Sequence, residues 1–199
     1  MNRGNEVRQA LMQSAIRVVS AQGISNATTK ALSNDSGLSE VYIYRYFESK
    51  DDLLKQTFDT LDKELMFVMK ESWSKIDATK NDGVNLGFKA VFHDFWRFTL
   101  SNKDKCSFFI QYYYSSYYSN NFEEKRKAIY QPLLDVMEPV FAQDADAWVE
   151  LNHMYDIAFP KIQRVLRGTL PNNEETERSV YLELRTVEEK KILWEKSIG

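Results

Sequence analysis

Between residues 28 and 50 the chain concentrates side chains that donate hydrogen bonds to acidic oxygens. They are the hydroxyls of Thr28, Thr29 and Ser39, three alternating tyrosines (Tyr42, Tyr44 and Tyr46), and the cations Lys30, Arg45 and Lys50. Hydroxyls and cations of this kind position a phosphate backbone, while a guanidinium can also read a base edge. That is recognition chemistry rather than bond-making chemistry. The residues needed for catalysis are scattered: His93 and His153 are the two histidines and sit in no metal-spaced cluster, and Cys106 has no neighbouring histidine. No glycine-rich phosphate loop is present either, so no enzyme activity, cofactor or metal is expected.

Two short helices and the start of a third must carry these groups. Thr28 can cap a helix from Thr29 to Asp35, Gly37 supplies the freedom for a sharp turn, and Ser39 can cap a second helix to about Phe47. Ser49 followed by Asp52 reads as a capping box that opens a longer helix. Ala31, Leu32, Leu38, Ile43 and Phe47 are the positions that would lock the two short helices together. Glu40, Val41, Tyr42, Tyr44, Arg45 and Tyr46 are left facing outward. A helix so presented fits the major groove as the second element of a helix-turn-helix.

Arg8 with Ala15, Gly23, Thr28–Thr29, Gly37-Leu38-Ser39, Ile43-Tyr44, Tyr46-Phe47, Ser49-Lys50 and Leu53-Leu54 resembles the N-terminal domain of the TetR family of transcriptional regulators. The resemblance covers about the first quarter of the chain. It implies a phosphate-contacting role for Tyr44, a homodimer, and an effector bound among the later helices. The chain departs from the family where a small residue followed by Ser or Thr is usual, having Val41 and Tyr42 instead, and it places an acid at Glu40. The operator therefore cannot be taken from a relative.

Individual positions allow more than one reading. Each tyrosine can meet phosphate or pack on the first helix. Arg45 can bind a guanine or a phosphate, or complement the dipole of a helix C-terminus. Lys50 places a positive charge in the first turn of a helix, where it opposes the dipole unless a phosphate accepts it. Glu40 suits an early helical position, yet facing DNA it would accept from a cytosine amino group or repel phosphate.

The net charge of −3 excludes a protein that holds nucleic acid by bulk charge. Residues 1–56 hold seven Lys/Arg against six Asp/Glu, a balance of +1 that leaves −4 for the remainder. Binding then rests on a few placed cations, helix N-termini and hydroxyls, with moderate salt sensitivity. A chain of 199 residues, 43% hydrophobic and 14% aromatic, can bury a substantial core. The single cysteine points to a reducing compartment, nothing at the start resembles a signal peptide, and no apolar run approaches the roughly 18 residues of a membrane span. A cytoplasmic protein is expected.

Helical periodicity dominates the whole chain, which predicts an all-α fold without internal repeats. Val7, Leu11, Ala15 and Val18 form one stripe, and Leu54, Phe58, Leu61, Leu65 and Val68 another. The pattern predicts a DNA-binding domain over 1–48 and a helical effector-binding and dimerisation domain over 49–199. A connecting helix over 49–76 ends before Asn81-Asp82-Gly83. Further helices are expected near 84–101, 103–118, 122–131, 132–142, 145–168 and 175–197. Asn121 with Glu124 reads as a cap, Gly168 and Pro171 as a stop, and Pro139 and Pro160 as kinks or boundaries.

The second domain is rich in aromatic residues, and so many tyrosines on one helix need partners for their hydroxyls. Core packing accounts for most of the phenylalanines; a pocket for a flat, mainly apolar effector accounts for the rest. Its expected lining is Phe92, Trp96, Phe109, Tyr113, Tyr117, Met137, His153 and Met154. On the last two helices, Trp148, Leu151, Tyr155, Phe159 and Ile162, with Val180, Leu184 and Val187, either close the domain's own core or pair with a second copy; the dimer interface is the expectation. The function that follows is a DNA-binding transcriptional regulator: a repressor released from a palindromic operator by a small, mainly apolar or aromatic molecule. The alternative is a small-molecule-binding helical protein that keeps the fold but has weak or no sequence-specific DNA binding.

Overall fold

The computed structural model describes residues 3–75, 83–118, 121–138 and 146–185. The elements are α1 (Arg3–Gln22), a 3-10 turn (Ile24–Asn26), α2 (Thr29–Ser36), α3 (Val41–Tyr46), α4 (Lys50–Ser74), α5 (Gly83–Ser101), α6 (Lys103–Tyr113), α7 (Asn121–Met137) and α8 (Ala147–Leu166). Residues 174–185 form a further helix, α9. Among the described residues there is no strand, so the fold is all-α.

The helix ends follow the local signals closely. The Thr28 hydroxyl accepts from the Ala31 amide at 3.1 Å and caps α2. Gly37 ends α2 at φ 68°, the left-handed conformation that a side chain would strain. At the start of α4 the Ser49 hydroxyl accepts from the Asp52 amide at 3.0 Å, and the Asp52 carboxylate reaches back to the Glu48 amide at 3.0 Å. The capping box is thus present, with its return bond made one residue early. Asp146 caps α8 by accepting from the Trp148 amide at 2.8 Å.

Several expected boundaries move. Ser39 does not cap α3 with its hydroxyl; α3 opens after Glu40 without a side-chain cap, and the Ser39 and Glu40 carbonyls accept from Tyr42 and Ile43. Helix α6 stops at Tyr113 rather than 118, because the Ser115 hydroxyl donates to the Tyr112 carbonyl at 2.7 Å and accepts from the Tyr117 amide at 3.2 Å. Serine here competes with the helical backbone for its own partners. The two helices expected over 122–131 and 132–142 are one, α7, which runs through Pro132. Leu133, Leu134 and Met137 are fully buried just beyond it, each worth about 1.5–3 kcal/mol. Together they outweigh the roughly 3 kcal/mol that an interior proline costs. Pro160 likewise lies within α8 and marks no boundary. Pro139, Ile76, and the expected helical residues after 185 lie outside the described residues, as does the Asn121 side chain.

The contacts divide the chain elsewhere than at residues 48 and 49. One compact unit comprises Met1–Leu65 with Asn102–Ile129, and the other Met66–Ser101 with Tyr130–Gly199. In the first, α1 packs on α2, α3 and α6, and Leu11, Ala15, Leu32, Ile43, Leu54 and Phe58 are buried. Phe58 stacks on Phe109 and on Tyr112, with ring centroids 4.6 Å apart in each case. Beside them the Arg126 guanidinium bonds to the Asp62 carboxylate at 3.0 Å, with both side chains sealed from solvent.

The second unit is built around α5 and α8. Tyr130 and Tyr155 satisfy one another's hydroxyls at 2.7 Å inside the core, and Phe95 packs on Tyr155 and Phe159. Gly87 in α5 faces the Trp73 ring of α4, where a Cβ would stand 2.8 Å from Cζ3. Only a residue without a side chain lets these helices approach so closely. Val68, expected in the buried stripe of α4, is half-exposed; Met69 and Trp73 take the buried face instead.

Candidate nucleic-acid interface

The outward face of α3 is mounted on a braced scaffold. The Ser14 hydroxyl of α1 donates to the Leu32 carbonyl of α2 at 2.9 Å. Arg17 pairs with Asp35 at 2.7 Å. Burial alone would raise the Asp35 carboxyl, but bonds from Arg17 and Ser14 outweigh it and hold it below the usual carboxylate range. Arg8 donates to the Tyr46 carbonyl at 3.0 Å and lies 4.6 Å over the Phe47 ring, fixing the C-terminal end of α3. In the turn, the Ser33 hydroxyl donates to the Leu38 carbonyl at 2.6 Å.

Leu32, Ile43 and Phe47 are buried between these helices, and Ala31 and Leu38 are half-buried. With those five positions turned inward, the rest of α3 has one direction left. Val41 is 69% exposed and Tyr44 61% exposed, and Arg45, Glu40 and Ser39 are exposed beside them. Tyr42 and Tyr46, one turn apart, are half-buried and stack with their centroids 6.3 Å apart. Arg45 lies 5.9 Å from the Tyr46 ring and makes no ion pair among the described residues. Its guanidinium therefore keeps its donors for an incoming acceptor.

Thr28 and Lys30 are exposed at the start of α2, and Thr29 is half-buried. Thr28 uses its oxygen as the cap acceptor, so its hydroxyl proton remains available to a phosphate. Lys50 is more enclosed. Its ammonium donates to the Tyr117 hydroxyl at 2.8 Å, lies 5.1 Å from that ring, and pairs with Asp51 at 3.3 Å. Burial would lower its pKa, but Tyr117 and Asp51 outweigh burial and hold it above the usual lysine value.

Other contacts of this unit carry no sequence signal. Gln111 of α6 donates to the Val19 carbonyl at 3.0 Å and accepts from the Ile24 amide at 3.1 Å, tying α6 to the end of α1. Ser20 donates to Asp104 at 2.8 Å. These partners are separated by 84 to 92 residues, beyond the reach of any local pattern.

The eight residues expected to line an effector pocket do not fall in one unit. Phe109, Tyr113 and Tyr117 belong to the first, and Phe92, Trp96, Met137, His153 and Met154 to the second. Phe92, Trp96, Phe109, Met137 and Met154 are buried, while Tyr113, Tyr117 and His153 are half-exposed. Two clefts have other linings. One of about 380 Å³ lies among Asn5, Arg8, Met12, Thr57, Thr60 and Glu64, and one of about 340 Å³ among Lys161, Arg164, Pro171, Glu175, Ser179 and Glu183.

The residues expected at a dimer interface lie as follows. Trp148, Leu151, Tyr155, Phe159, Ile162, Val180 and Leu184 are all buried within the single chain, Tyr155, Phe159 and Ile162 completely. They pack in the core of their own unit. Val187 lies outside the described residues. Among the exposed residues of α8 and α9 are Asp156, Arg164 and Leu182.

Residues 11–57 match the family described as bacterial regulatory proteins, tetR family. No curated protein sequence matches the chain. Among solved structures, a TetR family transcription regulator from Marinobacter aquaeolei VT8 superposes with a TM-score of 0.74 at 18% identity, over 92% of this chain and 95% of that one. A TetR-family transcriptional regulator from Haemophilus influenzae Rd gives 0.65 at 17% identity, over 92% and 97%. The transcriptional regulator FadR from Bacillus subtilis, solved in complex with stearoyl-CoA, gives 0.64 at 13% identity, over 88% and 96%. At these identities the superpositions establish a shared fold along nearly the full chain. Among the described residues no helix is long and apolar enough to cross a membrane.

Proposed function

We propose that this chain, a member of the TetR family of regulators through its N-terminal domain, is a homodimeric repressor that leaves its operator when a small effector binds. The observation that carries the reading is the outward face of α3: exposed Arg45, without an ion pair among the described residues, beside exposed Tyr44 and half-buried Tyr42 and Tyr46, on a helix locked from behind by Leu32, Ile43, Phe47 and Arg8. Such a helix suits the major groove, and two of them in a symmetric dimer would enter successive grooves of a palindrome.

Tyr44, Thr28, Thr29, Lys30 and Lys50 take phosphate contacts, and Arg45 takes a guanine edge or a phosphate. Ser39, Glu40, Val41, Tyr42 and Tyr46 face the bases and tune which sequences are accepted. Phe92, Trp96, Met137, His153 and Met154, or Phe109, Tyr113 and Tyr117, receive a mainly apolar or aromatic effector. The second copy packs on the outer faces of α8 and α9, where Leu182 is 50% exposed. Effector binding shifts α4, and DNA affinity falls by the effector's preference for the released state.

The acid at Glu40, exposed at the start of α3, favours a second reading in which the fold binds a small molecule without sequence-specific DNA recognition. Selection of bound sequences from a random duplex pool at near-physiological salt separates the two. Enrichment of a palindrome is expected; recovery of unenriched sequence would establish the second reading.

A further inference from the structure

Lys50 opens α4 beside the DNA-reading helix, yet its ammonium is held by a residue 67 positions away. Tyr117 accepts from it at 2.8 Å, and the ring stands 5.1 Å from the nitrogen. Asp51 takes a second contact at 3.3 Å. An ammonium has three donors, so two internal partners leave one for a phosphate oxygen.

Tyr117 is itself fixed in place. Its amide donates to the Ser115 hydroxyl, the Ser115 hydroxyl donates to the Tyr112 carbonyl, and its ring stacks on Tyr112 with centroids 6.1 Å apart. Tyr112 in turn stacks on buried Phe58. The hydroxyl that meets Lys50 is therefore anchored in the core of the first unit rather than on a free surface side chain.

We propose that Tyr117 is a positioning residue for DNA binding, holding the Lys50 ammonium in place for its phosphate contact. The assignment rests on the DNA-binding reading above. A lysine carries four rotatable bonds, and freezing it on binding costs side-chain entropy. Holding it beforehand removes part of that cost from the binding step. The same bond makes operator affinity depend on the turn at 114–118, which places Tyr117 between the aromatic cluster and the DNA.

The test is a double-mutant cycle on the operator recovered by selection, with affinity measured across salt concentrations. Tyr117→Phe keeps the ring and loses the hydroxyl; it is expected to weaken binding roughly threefold to tenfold, as for a charge-assisted hydrogen bond at a partly exposed site. Its salt slope should match the parent, because the charge remains. Lys50→Met should lower the slope by about one. Adding Tyr117→Phe to Lys50→Met should then change nothing further. Equal losses in both backgrounds, or no loss in either, would overturn the assignment. In the unmodified protein, acetylation at Lys50 should be slower than at exposed Lys30, and equal rates would also overturn it. A parent chain that binds no duplex, but has a protected Lys50, would overturn the functional reading and the positioning role with it while leaving the contact standing.

Discussion

The first unit contains two groups of arginine and tyrosine with opposite surroundings. On α3, Arg45 stands with Tyr42, Tyr44 and Tyr46 at the surface, without an ion pair among the described residues. Around α6 and α7, Arg126 lies 5.3 Å from the Tyr113 ring and 6.0 Å from that of Phe109, with its side chain 1% exposed and bonded to Asp62. The side-chain chemistry is nearly the same in both. Burial decides what it does: a sealed guanidinium must be matched within the protein, whereas an exposed one keeps its donors for something outside it. The tyrosines follow the same rule. Burial, with Asp59, Asp51 and Tyr117 adding to it, pushes the Tyr112 hydroxyl far above its ordinary value, so it stays neutral as part of the core.

The sharpest way to break this contrast is to remove the sealed cation. Arg126→Met should cost about 3–5 kcal/mol of stability, because Asp62 is left buried without its arginine. Adding Asp62→Leu should restore much of the loss. Denaturant unfolding of the three proteins checks both. A cost under 1 kcal/mol for Arg126→Met would mean that the pair is solvated and the contrast false.

The exposed arginine should behave in the opposite way. Arg45→Ala should leave the unfolding midpoint within the roughly 0.5 kcal/mol typical of surface changes. Operator affinity should fall by about 1–3 kcal/mol, with relaxed preference at one base pair if the contact is to a guanine and a uniform loss if it is to phosphate. Titration against the selected operator and its single-base variants distinguishes these.

The exposed group was legible in the sequence and the sealed one was not, for a physical reason. Thr28, Gly37, Ser49 and Asp52 act on backbone groups within four residues, so their types and spacing carry the turn and both helix starts. Ser39 misled because a hydroxyl near a helix start can leave capping to the backbone, and here Glu40 occupies the flanking position. The Asp62–Arg126 pair spans 64 residues, the Gln111 ties 87 and 92, and the Lys50–Tyr117 bond 67. Nothing local marks those partners. The stripes of α8 and α9 were correctly apolar, yet a stripe alone does not say whether it meets its own chain or a second copy. A proline alone does not mark a helix boundary: Pro160, read as a kink or boundary, and Pro132 both sit within helices whose neighbouring turns are deeply buried.

If the exposed face of α3 reads DNA, a cleaving reagent placed on that face will cut within the operator. Val41→Cys introduces an exposed thiol, to which an iron chelate that generates hydroxyl radicals can be attached. Cys106 does not compete, because it is 5% exposed and burial pushes its thiol up to about 12. On the selected operator, strand cleavage should fall in two clusters, one in each half-site, with centres about 34–36 Å apart or a multiple of that distance. Cleavage scattered along the duplex, or none above that of the parent chain treated with the same reagent, would contradict the placement of α3 in the groove.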